Sequence, residues 1–169
     1  QKCWGASDEY FVLGRHGTRY ITVIDADTGI NAAYLWPFTM GPVRIAFMPT
    51  IGKWFMVNQI NEVGITADFV NWTTYTSAFS INNICVGDCL YTLSSGTTQH
   101  GTDDGINWFA VATPTDCEPR SMAYADGIGV LVGFYGPSYY MVLNGISSSN
   151  ANLSSILQSE VLASNLLTL

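Results

Sequence analysis

The chain has 169 residues, of which 48% are hydrophobic, 13% aromatic and only 11% charged, and six Lys and Arg against thirteen Asp and Glu give a formal net charge of −7. A chain of this size and composition buries a substantial core, so disorder is excluded, and without a basic cluster it cannot neutralise a phosphate backbone, so nucleic acid is excluded as a partner. Gly, Asn, Asp or Pro interrupts every apolar stretch before the roughly 18 residues a membrane helix requires, which excludes a transmembrane helix.

A surface so poor in charge predicts that other protein covers part of it. At the N-terminus, Gln1-Lys2-Cys3 shows neither Met nor the apolar core of a signal peptide, and we expect that something upstream has been removed. From there the chain reads as four repeats of roughly forty residues, at about 2–43, 44–82, 83–119 and 120–147.

The first repeat opens on the strand Cys3-Trp4-Gly5, turns at Ser7-Asp8, continues as the strand Tyr10–Leu13 and reaches a second turn at Thr28-Gly29-Ile30-Asn31. The second matches it with Ile45-Ala46-Phe47, Pro49-Thr50, Trp54–Val57 and the turn Phe69-Val70-Asn71-Trp72, followed by the strand Thr73–Thr76. The third reads Ile84-Cys85-Val86, Gly87-Asp88, Leu90–Leu93, the turn Thr102–Trp108 and the strand Phe109–Ala112. The fourth reads Met122-Ala123-Tyr124, Asp126-Gly127, Val130–Val132 and Gly145-Ile146-Ser147. Lys2, Arg44 and Arg120 precede the opening strands of three repeats. Short aromatic and β-branched runs between such turns are strands, and a four-strand meander must stack on its neighbours to bury both faces.

The second turn has a readable mechanism. A carboxylate at Asp68 or Asp104 accepts backbone N–H groups two residues on, Gly105 supplies a positive φ, and Trp72 or Trp108 starts the next strand with its ring between sheets. These five residues are therefore predicted to be structural.

The stretch Thr102-Asp103-Asp104-Gly105-Ile106-Asn107-Trp108 resembles a shortened Asp-box, the turn of sialidase-type propellers. Over about residues 2–147 the whole unit is similar to propeller repeats of bacteriophage tail and other virion proteins, with departures: Phe69 replaces the turn Gly in the second repeat, and the first and fourth lack the Trp. The resemblance implies an all-β fold, a propeller-like array of four short antiparallel meander blades. It further implies a structural virion component, an assembly or attachment scaffold and not an enzyme. The expected partners are other virion proteins or further segments of the same gene product in an oligomeric assembly, with a host glycan as the candidate ligand. The alternative is a carbohydrate-binding module or sialidase-like glycosidase of the same fold.

A sialidase would bring an arginine cluster, a Tyr and Glu pair and an Asp acid. Repeat position accounts for Arg44 and Arg120 without catalysis, and Arg15 and Arg19 complete the arginines, so no catalytic residue is assigned. Asp25 and Asp27 resemble half of a calcium loop but lack the bidentate Glu that closes one, and a turn capped by two carboxylates accounts for them. His16 and His100 have no partner at metal or nucleophile spacing, and Cys85-x3-Cys89 with Cys3 and Cys117 lacks paired zinc spacing. Free buried thiols or two disulfides remain, and no cofactor or metal is expected. The Trp and Tyr side chains, Tyr139 and Tyr140 among them, are the candidates for sugar stacking.

Residues 148–169 read as a polar linker and a C-terminal amphipathic helix, with Leu153, Ile156, Leu157, Val161 and Leu166 recurring at helical spacing as a partner-docking stripe. Since neither end supplies a closing strand, the edges near 2–14 and 120–147 are expected to need cover by a partner.

Overall fold

A computed structural model describes residues 2–93, 99–111, 117–125, 128–135 and 138–144. All regular structure in them is β. The expected helix and its docking residues Leu153, Ile156, Leu157, Val161 and Leu166 lie outside the described residues, as do the linker and Gly145-Ile146-Ser147.

Strands β1 (Lys2–Ala6), β2 (Tyr10–Arg15), β3 (Tyr20–Asp25) and β4 (Asn31–Leu35) form sheet one. Sheet two holds β5 (Arg44–Met48), β6 (Lys53–Val57), β7 (Glu62–Thr66) and β8 (Thr73–Thr76). Sheet three holds β9 (Asn83–Val86), β10 (Leu90–Leu93), β11 (Gln99–Thr102) and β12 (Phe109–Val111). Sheet four holds β13 (Cys117–Ala125), β14 (Ile128–Tyr135) and β15 (Ser138–Asn144), beginning ahead of Arg120, where the sequence placed the fourth repeat. Every sheet is an antiparallel meander in chain order. The first strands lie side by side, β1 on β5, β5 on β9 and β9 on β13, so the sheets stand as blades around a common inner edge.

The core lies between the blades. Cys3, Val12, Ile21 and Val23 of sheet one pack with Ile45, Trp54, Met56 and Phe69 of sheet two. The other face of sheet two, with Ala46, Phe55, Val57 and Ile65, packs against Leu90, Ile84 and Val86 of sheet three. On the next face of sheet three, Tyr91 and Cys89 meet Tyr124 of sheet four. Sheet two is covered on both faces, which is why Trp54-Phe55-Met56-Val57 is a continuous buried run, while β1 alternates exposed and buried residues.

This packing corrects one detail of the repeat alignment. Each blade has a forward face, toward the following blade, and a rear face, toward the preceding one. The register pairs Gly5 with Val12 and Val12 with Val23 on the forward face of sheet one; Ala46, Phe55 and Ile65 are paired in the same way on the forward face of sheet two. Trp4 is therefore the counterpart of Ile45, the place the sequence comparison gave to Cys3. Because strand side chains alternate with period two, that one-residue slip moves every residue of the strand to the opposite face.

Candidate functional site

Asp68 and Asp104 occupy the β7–β8 and β11–β12 turns and do what their sequence predicted. The Asp104 Oδ1 accepts the backbone N–H groups of Ile106 at 2.8 Å and Asn107 at 2.7 Å and the Thr102 hydroxyl at 3.0 Å, while Oδ2 accepts the Asn107 side-chain amide at 2.6 Å. Asp68 repeats the pattern with Val70 at 3.0 Å, Asn71 at 2.8 Å and the Asn71 amide at 2.7 Å. In sheet one the carboxylate is Asp25, which accepts the N–H groups of Asp27 at 3.1 Å and Thr28 at 2.8 Å. Asp27 is thus one of the donors in that turn, together with Thr28, and the capping carboxylate is Asp25.

These bonds favour the ionised carboxyls. At Asp68 the donors from Asn71 and Val70, and at Asp25 those from Thr28, lower the pKa. At Asp104 burial opposes ionisation, but the donors of Asn107, Ile106 and Thr102 outweigh it and hold the pKa at about 2. A folded value below the unfolded 3.8 contributes stability that is full above about pH 4 and is lost as pH falls through the folded values. The urea midpoint should therefore decline between pH 4 and pH 2. In a variant carrying Asp68→Ala and Asp104→Ala it should begin lower and decline less steeply.

Gly105 has φ 78°. The equivalent Phe69 adopts φ 60°, a left-handed conformation in which a bulky residue is strained. Its ring is buried among Tyr10, Tyr34 and Trp54 at centroid distances of 6.1, 5.5 and 5.7 Å. At Gly105 a Cβ would stand 2.7 Å from Ile65 Cδ1, so a side chain there would have to push the end of Ile65 aside.

The two turn tryptophans are half-buried, less than the full burial between blades that the repeat suggested. Each packs edge-on against an aromatic of the preceding inter-blade connection: Trp72 on Trp36 at 5.3 Å and Trp108 on Phe79 at 5.2 Å. The Trp108 indole also donates to the Tyr75 hydroxyl at 3.1 Å, and Tyr75 donates to the Gly105 carbonyl at 2.5 Å, tying the turn of sheet three to the last strand of sheet two. Among the described residues, Asp68, Trp72, Asp104, Gly105 and Trp108 make turn and blade-packing contacts in two similar, separate sites.

A cavity of about 600 Å³ opens at the inner edge, lined by Trp4, Ala6, Asp8, Ile45, Phe47 and Ile84 among others, with Asp8 its one ionisable lining residue among the described residues. Arg15, Arg19 and Arg44 do not line it; Arg19 donates to the Phe38 carbonyl and Arg44 to that of Val43. His100 stacks on Phe79 at 3.8 Å, where burial lowers its pKa. Cys3, Cys85 and Cys89 are free thiols, and burial pushes Cys3 and Cys89 up to about 11. Among the described residues no group of three His, Cys, Asp or Glu is placed to hold a metal.

An exposed apolar face was not legible in the repeat. On the rear face of sheet one, Trp4 is 70% exposed, Phe11 47% and Leu13 43%. Register joins them in two cross-strand rows, Trp4–Leu13–Thr22–Ala33 and Ala6–Phe11–Ile24–Asn31, neither of which contains a charged side chain. The signal that could have found them is the alternation in Phe11-Val12-Leu13, apolar at both parities, which marks a strand built for cover on both faces.

No family model and no curated protein matches the sequence. Solved structures resemble the fold. Virginiamycin B lyase from Staphylococcus aureus aligns at TM-score 0.62 and 17% identity over 86% of this chain and 55% of that one. A structure described as YCF48 bound to D1 peptide aligns at 0.56 and 13%, over 78% and 46%. A chain of a nidogen/laminin complex aligns at 0.62 and 9%, over 83% and 58%. At such identities the likeness is one of fold: the chain is a β-propeller-like repeat protein, and it spans about half the length of these neighbours.

Proposed function

We propose that this chain is a structural interaction scaffold, acting through blade surfaces and not through catalysis, and that it serves in a virion, at the tail. The observation that carries the scaffold reading is the apolar pair of rows on the rear face of sheet one, where Trp4, Phe11 and Leu13 stand exposed beside a basic edge of Lys2 and Arg15. A soluble surface seldom leaves such a patch uncovered unless something binds it. The inner cavity is consistent with a non-catalytic role, since among the described residues its lining has Asp8 as the one ionisable group and holds neither an arginine clasp nor a pair of carboxylates. The fold is used for binding in the neighbours whose structures hold a peptide or a protein complex, and for chemistry in the lyase, so fold alone does not choose between them. The virion placement rests on the likeness of the Asp104 turn and its repeat to phage tail propellers.

Quantitative mass spectrometry of purified particles from the source should find the chain at a fixed stoichiometry; its absence overturns the virion placement. A glycan array with the isolated chain tests the rival reading. Saturable sugar binding that is lost in Trp4→Ala would replace the scaffold by a carbohydrate-binding module.

A further inference from the structure

We propose that the inner edges of sheets one to three form a peptide-binding groove, one that takes an extended segment with an acidic side chain at one end and a basic one at the other. This gives the scaffold a partner chemistry and rests on that reading.

The groove is built from the first strands of three blades. A second cavity, of about 270 Å³, adjoins the inner cavity of about 600 Å³ and shares Trp4, Ile45 and Ile84 with it. These three hold one place in β1, β5 and β9, in register with Leu13, Met56 and Thr92. An apolar waist thus joins two openings. The strands lie side by side, so the start of each reaches the smaller opening and the end of each reaches the larger.

The two openings differ in charge. At the smaller one stand Lys2, Arg44 and Asn83, with no acidic lining residue among those described. Arg15 lies in register with Lys2, so three of the chain's six Lys and Arg gather at this end, against a net charge of −7 overall. Arg44 is half-buried and donates through Nη1 to the Val43 carbonyl at 2.8 Å, which holds the guanidinium at the wall and leaves its other N–H groups for a ligand. Asn83 accepts the Ile84 N–H at 3.0 Å through Oδ1, so its amide nitrogen remains as a donor. A carboxylate is the group this end fits. At the larger opening the one ionisable lining residue among those described is Asp8, beside Ser7, and a cation fits there.

Length and backbone name the occupant. Successive strand residues rise about 3.3 Å, so the path from Lys2 to Ala6 alone puts the charged ends about 13 Å or more apart, roughly four or five extended residues. A single amino acid or one sugar ring is too short to reach both. Strands β1, β5 and β9 are also the edge strands of their sheets, and the backbone N–H and C=O groups of an edge pair with an extended chain. Between the charged ends, Trp4, Ile45 and Ile84 receive apolar side chains.

The test is fluorescence polarisation of a labelled hexapeptide against the full chain. The peptide has blocked ends, Glu first, Lys last, and Ala, Val, Leu and Ala between. Saturable binding is expected, and the same peptide with Gln in both charged places should bind about fivefold or more weakly, as two exposed charge pairs allow. Salt at about 1 M, where screening acts within about 3 Å, should remove most of that preference. Lys2→Glu should weaken the original peptide and favour one with Lys at both ends, whereas Asp8→Lys should favour one with Glu at both ends. Both positions are exposed, and circular dichroism confirms folding. Should either variant fail to fold, the Gln peptide and the salt series decide on the unaltered chain. The proposal is overturned by absence of saturable binding, by equal binding of the Gln peptide, or by variants whose preference does not follow the reversed charge. Each of these leaves the scaffold reading to the particle measurement, which does not depend on the groove.

Discussion

Phe69→Ala is expected to cost about 3–5 kcal/mol of folding stability, and Phe69→Gly about 1 kcal/mol less. The ring is 5% exposed and touches Tyr10 and Tyr34 of sheet one and Trp54 of its own sheet, so truncation opens a cavity in the seam that joins the first two blades. Usually Gly is worse than Ala, because it has more unfolded-state freedom to lose. Here the order reverses, since φ is 60° and Ala keeps the strain while Gly removes it. Chemical denaturation of the two variants checks this, and Ala equal to or better than Gly would show that the left-handed backbone at this turn is not strained. Gly105 is the natural control: there the Ile65 side chain occupies the space, and a large residue is expected to disrupt packing with sheet two.

Trp36→Ala is expected to cost a similar amount, about 3–5 kcal/mol. Trp36 is fully buried, packs against Phe38 at 5.2 Å and Trp72 at 5.3 Å, and donates its indole N–H to the Met40 carbonyl at 2.8 Å. Its ring lies over Gly64, where a Cβ would stand 2.7 Å from Trp36 Cζ3. Gly64→Ala should therefore destabilise the unaltered protein by about 1–3 kcal/mol and cost less beside Trp36→Ala, where the Trp72 ring at 3.0 Å remains as the neighbour of the added Cβ. A double-mutant cycle measures that coupling, and additivity within experimental error would mean that the ring does not hold Gly64 in place. Trp108→Ala should cost less than Trp36→Ala, because Trp108 is only half-buried.

The strands were legible because they are local. Runs such as Trp54-Phe55-Met56-Val57 and Leu90-Tyr91-Thr92-Leu93 are aromatic and β-branched between turn residues, and no helical period competes with them. The carboxylate turns at Asp68 and Asp104 were legible for the same reason, since each carboxylate bonds N–H groups two and three residues away. The first repeat was harder. Its turn was placed at Thr28–Asn31, while the carboxylate that organises it is Asp25, because this turn closes a longer loop between Ile24 and Asn31.

What the sequence by itself determined about this protein is its all-β character, its blade-sized repeat and its turn chemistry, each set by residues that touch within a few positions of one another. Only the tertiary structure decided which face of each sheet is covered. Parity along a strand is lost with a single inserted residue, and the packing of Val12 and Val23 against Ile45 and Trp54 is what assigned Trp4, Phe11 and Leu13 to the open side. An exposed Trp and a buried Trp have the same local signature. They differ in whether another blade stands beside them, which is a property of the assembled sheets.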